Sequence, residues 1–339
     1  MRLARPTAVQ LKDNPIKWLI MLIVAALGGN AVSLPGKEGN IADQYEATRA
    51  AIRPLVDLIL AGHQLILTHG NGPQIGQIMR RVEIAAQHHV YPLPLDIAVA
   101  DTQAGMGYMI GQCLMNEMVR RPDAPDRVVS TIVTTVLVDE NDPAFAAPNK
   151  PIGPFMSKEA AEKHARDDGW KIAEDKARGG WRRVVPSPLP RQIIELPLLR
   201  TLLSAGHLVV AAGGGGIPVA RAADGTFKGI EAVIDKDRTS ALLAAELDAG
   251  LLAILTNVDQ VQVDYGKPTA RALARTSASE MSRWLAAGQF PAGSMGPKVD
   301  AAVDFLARSK KPQAKVLITS CERVAEALAG KTGTWVERG

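Results

Sequence analysis

Residues 207–219 read HLVVAAGGGGIPV, an apolar stretch that runs into four consecutive glycines. The apolar part, Leu208–Ala212, predicts a short buried strand. Gly213–Gly216 leave backbone N–H groups uncovered at the end of that strand, because glycine has no Cβ. Such a turn is typical of a site for a phosphate chain. No lysine follows at the spacing of a P-loop, so the positive charge must come from elsewhere.

The same design, a strand followed by a glycine-rich turn, occurs twice more near the start of the chain. Leu19–Leu27 is an unbroken apolar run that ends in GGN at residues 28–30. Gln64–Thr68 is a second run, which ends in HGNGP at residues 69–73. The alternatives are a tight strand-to-helix turn, an asparagine that caps a helix, and a histidine that is structural rather than a catalytic base.

The rest of the chain alternates strands and helices. Apolar or β-branched runs predict strands at Val128–Val138, Leu251–Leu255 and Lys315–Thr319, and helices are predicted at about residues 43–60, 74–87, 196–204, 238–247 and 299–308. This alternation indicates an α/β fold with a mainly parallel sheet that is covered on both faces. Ligands bind such sheets beyond the carboxyl ends of the strands, where all three glycine turns lie.

One region departs from this pattern and is interpreted as an inserted flap. About residues 141–190 are rich in Pro, Gly, Lys and Arg. Within them, Trp170–Ala173 and Trp181–Val185 flank two glycines, a spacing that predicts a β-hairpin. Residues 21–339 are otherwise expected to form a single domain.

Composition and charge exclude some classes of protein. The chain has 339 residues, 47% of them hydrophobic, and a formal net charge of +4. Residues 1–20 hold four basic side chains and one acidic one, so the nearly neutral remainder is not expected to bind nucleic acid. The two cysteines offer no disulfide framework and no metal-ligand spacing, which favours a reducing, cytoplasmic setting.

The N-terminal segment is interpreted as an extension. The apolar run at residues 18–27 is too short to span a membrane, and no membrane association is expected. Met21 stands at the start of this run, so residues 1–20 are predicted to lie outside the fold.

Three lysines are candidates for the missing charge. Lys150 lies in PNKPIGPF, Lys236 in AVIDKDRTSALL and Lys298 in PAGSMGPKVDAA. The last two stand near the starts of predicted helices, where the helix dipole disfavours a cation. The alternative is that each is an ordinary exposed lysine. Asp235 and Asp237 flank Lys236, where they could orient lysines, help to hold Mg²⁺ or cap the helix.

Several longer motifs occur in the order that one family shares: ALGGNA, THGNGPQIG, NKPIGPF, GGGGIPV, VIDKD, LTNVD, YGKP and FPAGSMGPK. On these motifs the chain resembles the carbamate kinases of the amino acid kinase superfamily, over roughly residues 21–338. The resemblance implies an αβα sandwich with an eight-stranded, mainly parallel sheet, and a homodimer. It implies the reaction ATP + carbamate = ADP + carbamoyl phosphate with Mg²⁺, often running toward ATP in cells.

The resemblance also assigns lobes and residues. The N-terminal lobe, about residues 21–225, is implied to hold the carbamoyl and phosphoryl groups, and the C-terminal lobe, about residues 226–339, the nucleotide. The flap is implied to close over the substrate. The implied catalytic residues are Lys150, Lys236, Lys298 and Asp237. The implied phosphoryl-binding residues are Gly28, Gly29, Asn30, Gly70, Asn71, Gly72, Gly213, Gly214 and Gly215. The implied nucleotide-binding residues are Asn257, Asp259, Tyr265, Gly293 and Met295.

The chain departs from the common pattern in two places. Many superfamily members carry a lysine in the first glycine motif, whereas this segment reads AALGG and Lys236 is the implied replacement. Met156 stands where an aromatic residue is common, which leaves the details of flap closure open. The alternatives are another kinase of the superfamily, acting on an amino-acid carboxylate or UMP, and a silent nucleotide-binding sensor. The pathway, whether arginine, agmatine, purine or allantoin breakdown, also stays open.

Overall fold

The computed structural model of the protein describes residues 20–29, 32, 40–175, 179–291 and 293–339. The proposed N-terminal extension therefore lies almost wholly outside the described residues, as does Asn30 of the first glycine turn. The strands are β1 (Leu22–Leu27), β2 (Gln64–His69), β3 (Val129–Thr131), β4 (Thr135–Leu137), β5 (Lys150–Met156), β6 (Lys171–Glu174), β7 (Trp181–Val185), β8 (Gln192–Ile193), β9 (Leu208–Val210), β10 (Ile217–Arg221), β11 (Phe227–Gly229), β12 (Leu251–Thr256), β13 (Gln262–Val263), β14 (Arg271–Ala272), β15 (Arg275–Ser277), β16 (Lys315–Ser320) and β17 (Thr334–Glu337). The helices are α1 (Ile41–Leu60), α2 (Gly72–Ala86), α3 (Leu95–Val119), α4 (Lys158–Asp167), α5 (Leu196–Ser204), α6 (Lys236–Glu246), α7 (Ala278–Ala286), α8 (Met295–Arg308) and α9 (Val324–Leu328).

The central sheet has eight strands in the order β15-β17-β16-β12-β1-β2-β9-β3. All neighbouring pairs in it are parallel except β16 and β17. Side chains alternate between its faces: Val24 and Leu252 pack with α5, α6 and α8, whereas Ile23 and Leu251 pack with α1, α3 and α9. The prediction of a three-layer αβα sandwich with a mainly parallel sheet is confirmed.

Helix α3 was missed by the sequence analysis. Its 25 residues are interrupted by three glycines, which weaken a helix prediction. The structure shows why one of them is there. A Cβ on Gly107 would lie 2.3 Å from Thr131 Cγ2. Gly107 lets α3 approach β3 closely, a tertiary contact that local sequence does not reveal.

The predicted strand Val128–Val138 is two strands in two different sheets. β3 ends the central sheet, while β4 belongs to a second sheet with the order β11-β10-β4-β8. The chain changes sheet at Thr134, whose Oγ1 donates to Ile132 O (2.8 Å) and accepts from Ala212 N (2.9 Å). The prediction of one continuous strand was wrong because these side-chain hydrogen bonds replace the regular strand pairing.

The predicted hairpin in the flap region is confirmed. β6 and β7 pair antiparallel from Lys171↔Val184 to Glu174↔Trp181, and β5 joins them in a three-stranded sheet. This sheet rests on α2, where a Cβ on Gly76 would lie 2.7 Å from Gly153 Cα. In the described part of the chain, no helix combines the length and apolar character that a membrane span requires.

The sheet brings the glycine turns together. Leu27 is paired with His69 on one side and with Leu255 on the other, so β1, β2 and β12 end side by side. Hydrogen bonds continue past the strand ends, from Gly28 N to Leu255 O (2.8 Å) and from Gly70 N to Leu27 O (3.1 Å). The carboxyl edge of the sheet therefore carries the candidate site.

Candidate active site

The first two glycine turns lie close together beside Lys236. A Cβ on Gly70 would lie 3.3 Å from Lys236 Cδ and 3.9 Å from Gly29 N, whereas one on Gly29 or Gly72 would meet no heavy atom of the described residues within 4 Å. Gly28 is packed instead, because a Cβ there would lie 2.6 Å from Leu255 O. The bare backbone of these turns thus lies beside a lysine.

All three candidate lysines enter one network with two aspartates. Lys236 Nζ lies 2.5 Å from Asp237 Oδ1, and Lys298 Nζ lies 2.9 Å from Asp237 Oδ2. Lys150 Nζ lies 2.5 Å from Asp235 Oδ2. The alternative that these are ordinary exposed lysines is wrong for Lys236 and Lys298, whose side chains are only 10% and 15% exposed. We call these five residues the lysine–aspartate cluster.

Helix starts position the cluster. Asp235 is the N-cap of α6, and its Oδ1 accepts from Asp237 N at 2.9 Å. Lys236 and Asp237 are the first two residues of α6, while Lys298 lies in the first turn of α8. Both lysines stand at the positive end of a helix dipole, which disfavours them. Asp237 offsets this by accepting a hydrogen bond from each lysine, while its role in orienting them during the reaction stays a prediction.

The charges of the cluster do not cancel. Three lysines oppose two aspartates, which leaves one positive charge if all five groups are ionised. Burial lowers the pKa of Lys236, more than the Asp237 carboxylate beside it raises that pKa. Burial opposes ionisation of Lys298, Asp235 and Asp237 as well. The neighbouring aspartates nonetheless raise the pKa of Lys298, and the neighbouring lysines lower the pKa values of Asp235 and Asp237. With all five groups ionised, this excess of positive charge favours an anion beside the cluster.

The buried hydroxyl groups of Thr68 and Ser240 hold the backbone at Lys236 in place. Ser240 Oγ donates to Lys236 O (2.6 Å), so the Thr68 hydroxyl donates to Ser240 Oγ (2.6 Å). Thr68 is on β2 and Ser240 on α6. The pair therefore fixes the first turn of α6 against the central sheet.

The four glycines of residues 213–216 are buried and fit closely against neighbouring groups. A Cβ on Gly213 would lie 2.2 Å from His69 Nε2, and one on Gly214 would lie 2.1 Å from Asn71 Nδ2. A Cβ on Gly215 would lie 2.5 Å from Ile234 O. The N–H of Gly215 donates to Ala212 O at 3.1 Å, within the turn itself. These glycines are needed for close packing against the second glycine turn and the segment that leads into α6.

Helix α3 holds these turns in place through two polar residues that the sequence analysis did not identify. Thr102 Oγ1 accepts from Asn71 Nδ2 at 3.0 Å, and Gln103 Nε2 donates to Gly213 O at 2.9 Å. Asn71 is the N-cap residue of α2, yet its side chain makes no capping hydrogen bond. The helix-cap alternative is therefore wrong for its side chain. Because α3 itself was not predicted, the sequence analysis had no element on which to place Thr102 and Gln103.

His69 is a neutral residue of the interior. Its side chain is fully buried, and burial lowers its pKa from 6.5 to about 4. Nδ1 lies 3.1 Å from Gly70 O, while Nε2 has no hydrogen-bond partner among the described residues. The sequence alternative that this histidine is structural rather than a base agrees with this environment.

We predict that acid destabilises the protein through His69. Between its native pKa of about 4 and its unfolded value of 6.5, only the unfolded chain binds the proton. Lowering the pH from 7 to 5 should therefore cost about 2 kcal/mol of unfolding free energy from this group alone. Urea unfolding at both pH values measures it. His69→Asn should show a correspondingly smaller loss, and an equal loss in both proteins would contradict the assignment.

The predicted nucleotide-binding residues are more exposed than the lysine–aspartate cluster. Asn257 is exposed just after β12, and Tyr265 is 72% exposed between β13 and β14. Gly293 is exposed, and Met295 is half-buried at the start of α8, the helix that carries Lys298. No ion pair or hydrogen bond joins them to the lysine–aspartate cluster within the described residues.

The carboxylate of Asp259 accepts two hydrogen bonds from neighbouring side chains. Oδ1 accepts from Ser320 Oγ (2.7 Å) and Oδ2 from Arg323 Nη1 (3.0 Å). Asp259 thus ties the loop after β12 to the loop after β16, two neighbouring strands of the central sheet. This bond shapes the edge of the sheet beside the cluster.

The aspartates of the cluster do not fit a protein-held magnesium ion. Each of their four carboxylate oxygens already accepts a hydrogen bond, three from lysines and one from Asp237 N. Among the described residues, no group of three or more His, Cys, Asp or Glu side chains could hold a metal ion. The hypothesis that Asp235 and Asp237 help to hold Mg²⁺ has no support in this arrangement.

Comparison with known proteins identifies the family. The model of the amino acid kinase family matches residues 21–320. The chain belongs to the amino acid kinase family. Its most similar curated relatives include the carbamate kinase of Thermococcus kodakarensis, 44% identical over 93% of this chain and 99% of that protein. The carbamate kinase of Staphylococcus haemolyticus is 46% identical over the same shares.

Solved structures of amino acid kinases agree with this assignment. The carbamate kinase of Giardia lamblia bound to AMP-PNP is 38% identical, with a TM-score of 0.84 over 94% of this chain and 99% of that one. The same enzyme bound to citric acid has a TM-score of 0.86 at 37% identity. The fold implied by the sequence motifs is therefore also the fold of these kinases.

Proposed function

We propose that this amino acid kinase is a carbamate kinase, which catalyses the reversible reaction ATP + carbamate = ADP + carbamoyl phosphate. The observation that carries the proposal is the lysine–aspartate cluster, a buried site with more lysines than aspartates, bordered by bare glycine turns. The similarity to carbamate kinases over nearly the whole chain gives the acceptor. A transferred phosphoryl group is the anion that such a site suits best.

The proposed chemistry needs position and charge rather than a general base. Carbamate is already an anion, so its oxygen can attack the γ-phosphorus of ATP without losing a proton. Lys236 and Lys298 stabilise the charge of the transferred group, while Asp237 holds both ammonium groups in place. The N–H groups of Gly29, Asn71 and Gly72 complete the donors, since those of Gly28 and Gly70 are bonded to Leu255 O and Leu27 O. His69 takes no proton, because its free Nε2 is sealed from solvent.

We propose that Asn257, Asp259, Tyr265, Gly293 and Met295 border the nucleotide and that Mg²⁺ is bound by its phosphates. Mg²⁺ commonly enters phosphoryl-transfer sites through phosphate oxygens. The cluster carboxylates are engaged by lysines, which supports a metal carried by ATP or ADP. The phosphates should then lie between the first turns of α6 and α8.

The flap, about residues 141–190, is proposed to close the site. Lys150 at the start of β5 reaches Asp235 at the start of α6, so the flap contributes one charge to the cluster. Val233 N also donates to Pro186 O at 3.0 Å, just ahead of the cluster. Met156, at the end of β5, is proposed to affect how this sheet moves and not which reaction occurs.

A homodimer is proposed on the basis of an exposed apolar stripe on α3. Ile97, Tyr108, Met115 and Val119 lie on one side of that helix and are 44%, 63%, 46% and 86% exposed. α3 packs beside β3, the edge strand of the central sheet. An exposed apolar stripe next to a free sheet edge is typical of a surface that a second copy covers.

Tyr108→Glu should therefore convert a dimer into a monomer, because it places a charge in the centre of the stripe. Light scattering coupled to size-exclusion chromatography measures the mass. Phe227→Glu, at an exposed aromatic residue of β11, is the matched control and should leave the dimer intact. Dimers of unchanged mass for Tyr108→Glu would place the interface elsewhere.

A panel of acceptors tests the proposed substrate. With ATP and Mg²⁺, phosphoryl transfer is measured for carbamate, N-acetylglutamate, aspartate and UMP by release of ADP. Of these four acceptors, only carbamate is expected to be phosphorylated. Turnover with an amino-acid carboxylate or UMP would favour another kinase of the family. Nucleotide binding with no acceptor turned over would favour the silent sensor.

A further inference from the structure

The tautomer of His69 can be assigned from its surroundings. Nδ1 lies 3.1 Å from Gly70 O. A carbonyl oxygen only accepts hydrogen bonds, so Nδ1 carries the proton of the neutral ring and donates it. Nε2 is then a bare lone pair, and the described residues offer it no donor.

The ring cannot easily take another orientation. A Cβ on Gly213 would lie 2.2 Å from Nε2, so the bare Cα of Gly213 is packed directly against this atom. The same Cβ would lie 2.9 Å from Gln103 Cγ, so Gly213 is packed against α3 as well, and the backbone of Gln103 lies close enough to the ring to affect its pKa. The imidazole is thus held between the third glycine turn and α3, with its single donor directed at Gly70.

This contact fixes one peptide group of the second glycine turn. The Gly70–Asn71 peptide is planar and trans, so its C=O and N–H point in opposite directions. Since the carbonyl is turned toward His69, the N–H of Asn71 is turned away from the ring. The described residues provide no acceptor for that N–H. Gly70 lies against Lys236, so the peptide stands beside the lysine–aspartate cluster.

We infer that His69 is a positioning residue, whose Nδ1–H holds the carbonyl of Gly70 and thereby directs the N–H of Asn71 toward the transferred phosphoryl group. The inference rests on the proposed function, because it needs a phosphoryl group beside the second glycine turn. It also gives Gly213 a role, since a side chain there would displace the imidazole.

Two amide variants separate this role from simple packing. The amide nitrogen of His69→Asn can take the place of Nδ1 and donate to Gly70 O, whereas that of His69→Gln takes the place of Nε2. If His69 positions the Gly70 carbonyl, His69→Ala and His69→Gln should lower kcat about tenfold or more, with KM for ADP little changed. His69→Asn should recover most of that loss. A packing role predicts the reverse order, because glutamine fills the volume better.

Measurement of kcat and KM for all three variants, with thermal unfolding as a check on folding, decides the matter. A His69→Gln enzyme as active as His69→Asn, or more active, would overturn the inference. Histidine-selective ¹⁵N NMR of the wild-type protein gives an independent reading, which does not require turnover. It should show His69 as the Nδ1–H tautomer at pH 7, and an Nε2–H tautomer or an imidazolium would also overturn it. Wild-type protein that makes no ATP from carbamoyl phosphate would instead contradict the proposed function.

Discussion

Lys298→Ala is expected to lower kcat by about 10²-fold or more, the usual cost of losing one preorganised donor to a developing charge. Lys298 supplies one of the three positive charges of the cluster and donates to Asp237 Oδ2 at 2.9 Å. Without it, two lysines oppose two aspartates, and the excess charge that attracts the phosphoryl group is gone. Steady-state ATP formation from ADP and carbamoyl phosphate measures the change.

The control for this variant removes a comparable ion pair far from the cluster. Lys315 Nζ lies 2.7 Å from Glu337 Oε1, at the start of β16 and therefore away from the carboxyl edge of the sheet. Lys315→Ala should keep normal kcat. Because Asp237 is only 3% exposed, Lys298→Ala also leaves a buried carboxylate with one partner fewer, and its unfolding must be compared with that of the wild type. Near-normal turnover in a folded Lys298→Ala enzyme would remove Lys298 from the mechanism.

Gly214→Ala is expected to destabilise the protein by about 3 kcal/mol and to lower kcat more than tenfold. Gly214 has a φ of +65°, in the left-handed region that disfavours a side chain. Its new Cβ would lie 2.1 Å from Asn71 Nδ2. Asn71 could move aside only by giving up its hydrogen bond to Thr102, which would shift the second glycine turn.

Gly225→Ala is the matched control. Gly225 has a φ of +85°, but a Cβ there would meet no heavy atom of the described residues within 4 Å. It should cost only the backbone strain, about 1 kcal/mol, and leave kcat unchanged. Urea unfolding and steady-state kinetics compare the two variants. Equal effects in both would mean that the fit of Gly214 against Asn71 contributes nothing to the site.

The parts of the fold that follow from local patterns could be predicted from the sequence. Unbroken apolar runs such as Leu251–Leu255 gave the central strands, because both faces of the sheet are buried. Helix α3 was missed because its three glycines weaken a helix prediction, and one of them, Gly107, serves a contact with Thr131 rather than helix stability. The split of residues 128–138 was missed because Thr134 turns the chain through hydrogen bonds to residues that are distant in sequence.

The candidate site shows the same division. The lysines could be found because a cation at a helix start needs an explanation, and Lys236 and Lys298 do share Asp237. The glycines of residues 213–216 looked like an anion-binding turn on their own. The structure gives them a further use, as surfaces against which His69 and Asn71 are packed. No sequence pattern could indicate that fit, because it depends on three segments that meet only in the folded chain. Their proposed contact with phosphate stays a prediction.

We propose that the lysine–aspartate cluster transfers a phosphoryl group between carbamoyl phosphate and ADP. The most direct test is ³¹P NMR of the wild-type protein with ADP, Mg²⁺ and carbamoyl phosphate, beside the same mixture with Lys298→Ala. Wild-type protein is expected to convert the carbamoyl phosphate signal into the γ-phosphate signal of ATP. The Lys298→Ala variant should do so at least about 10²-fold more slowly. Wild-type protein that forms no ATP above the enzyme-free mixture would contradict the account.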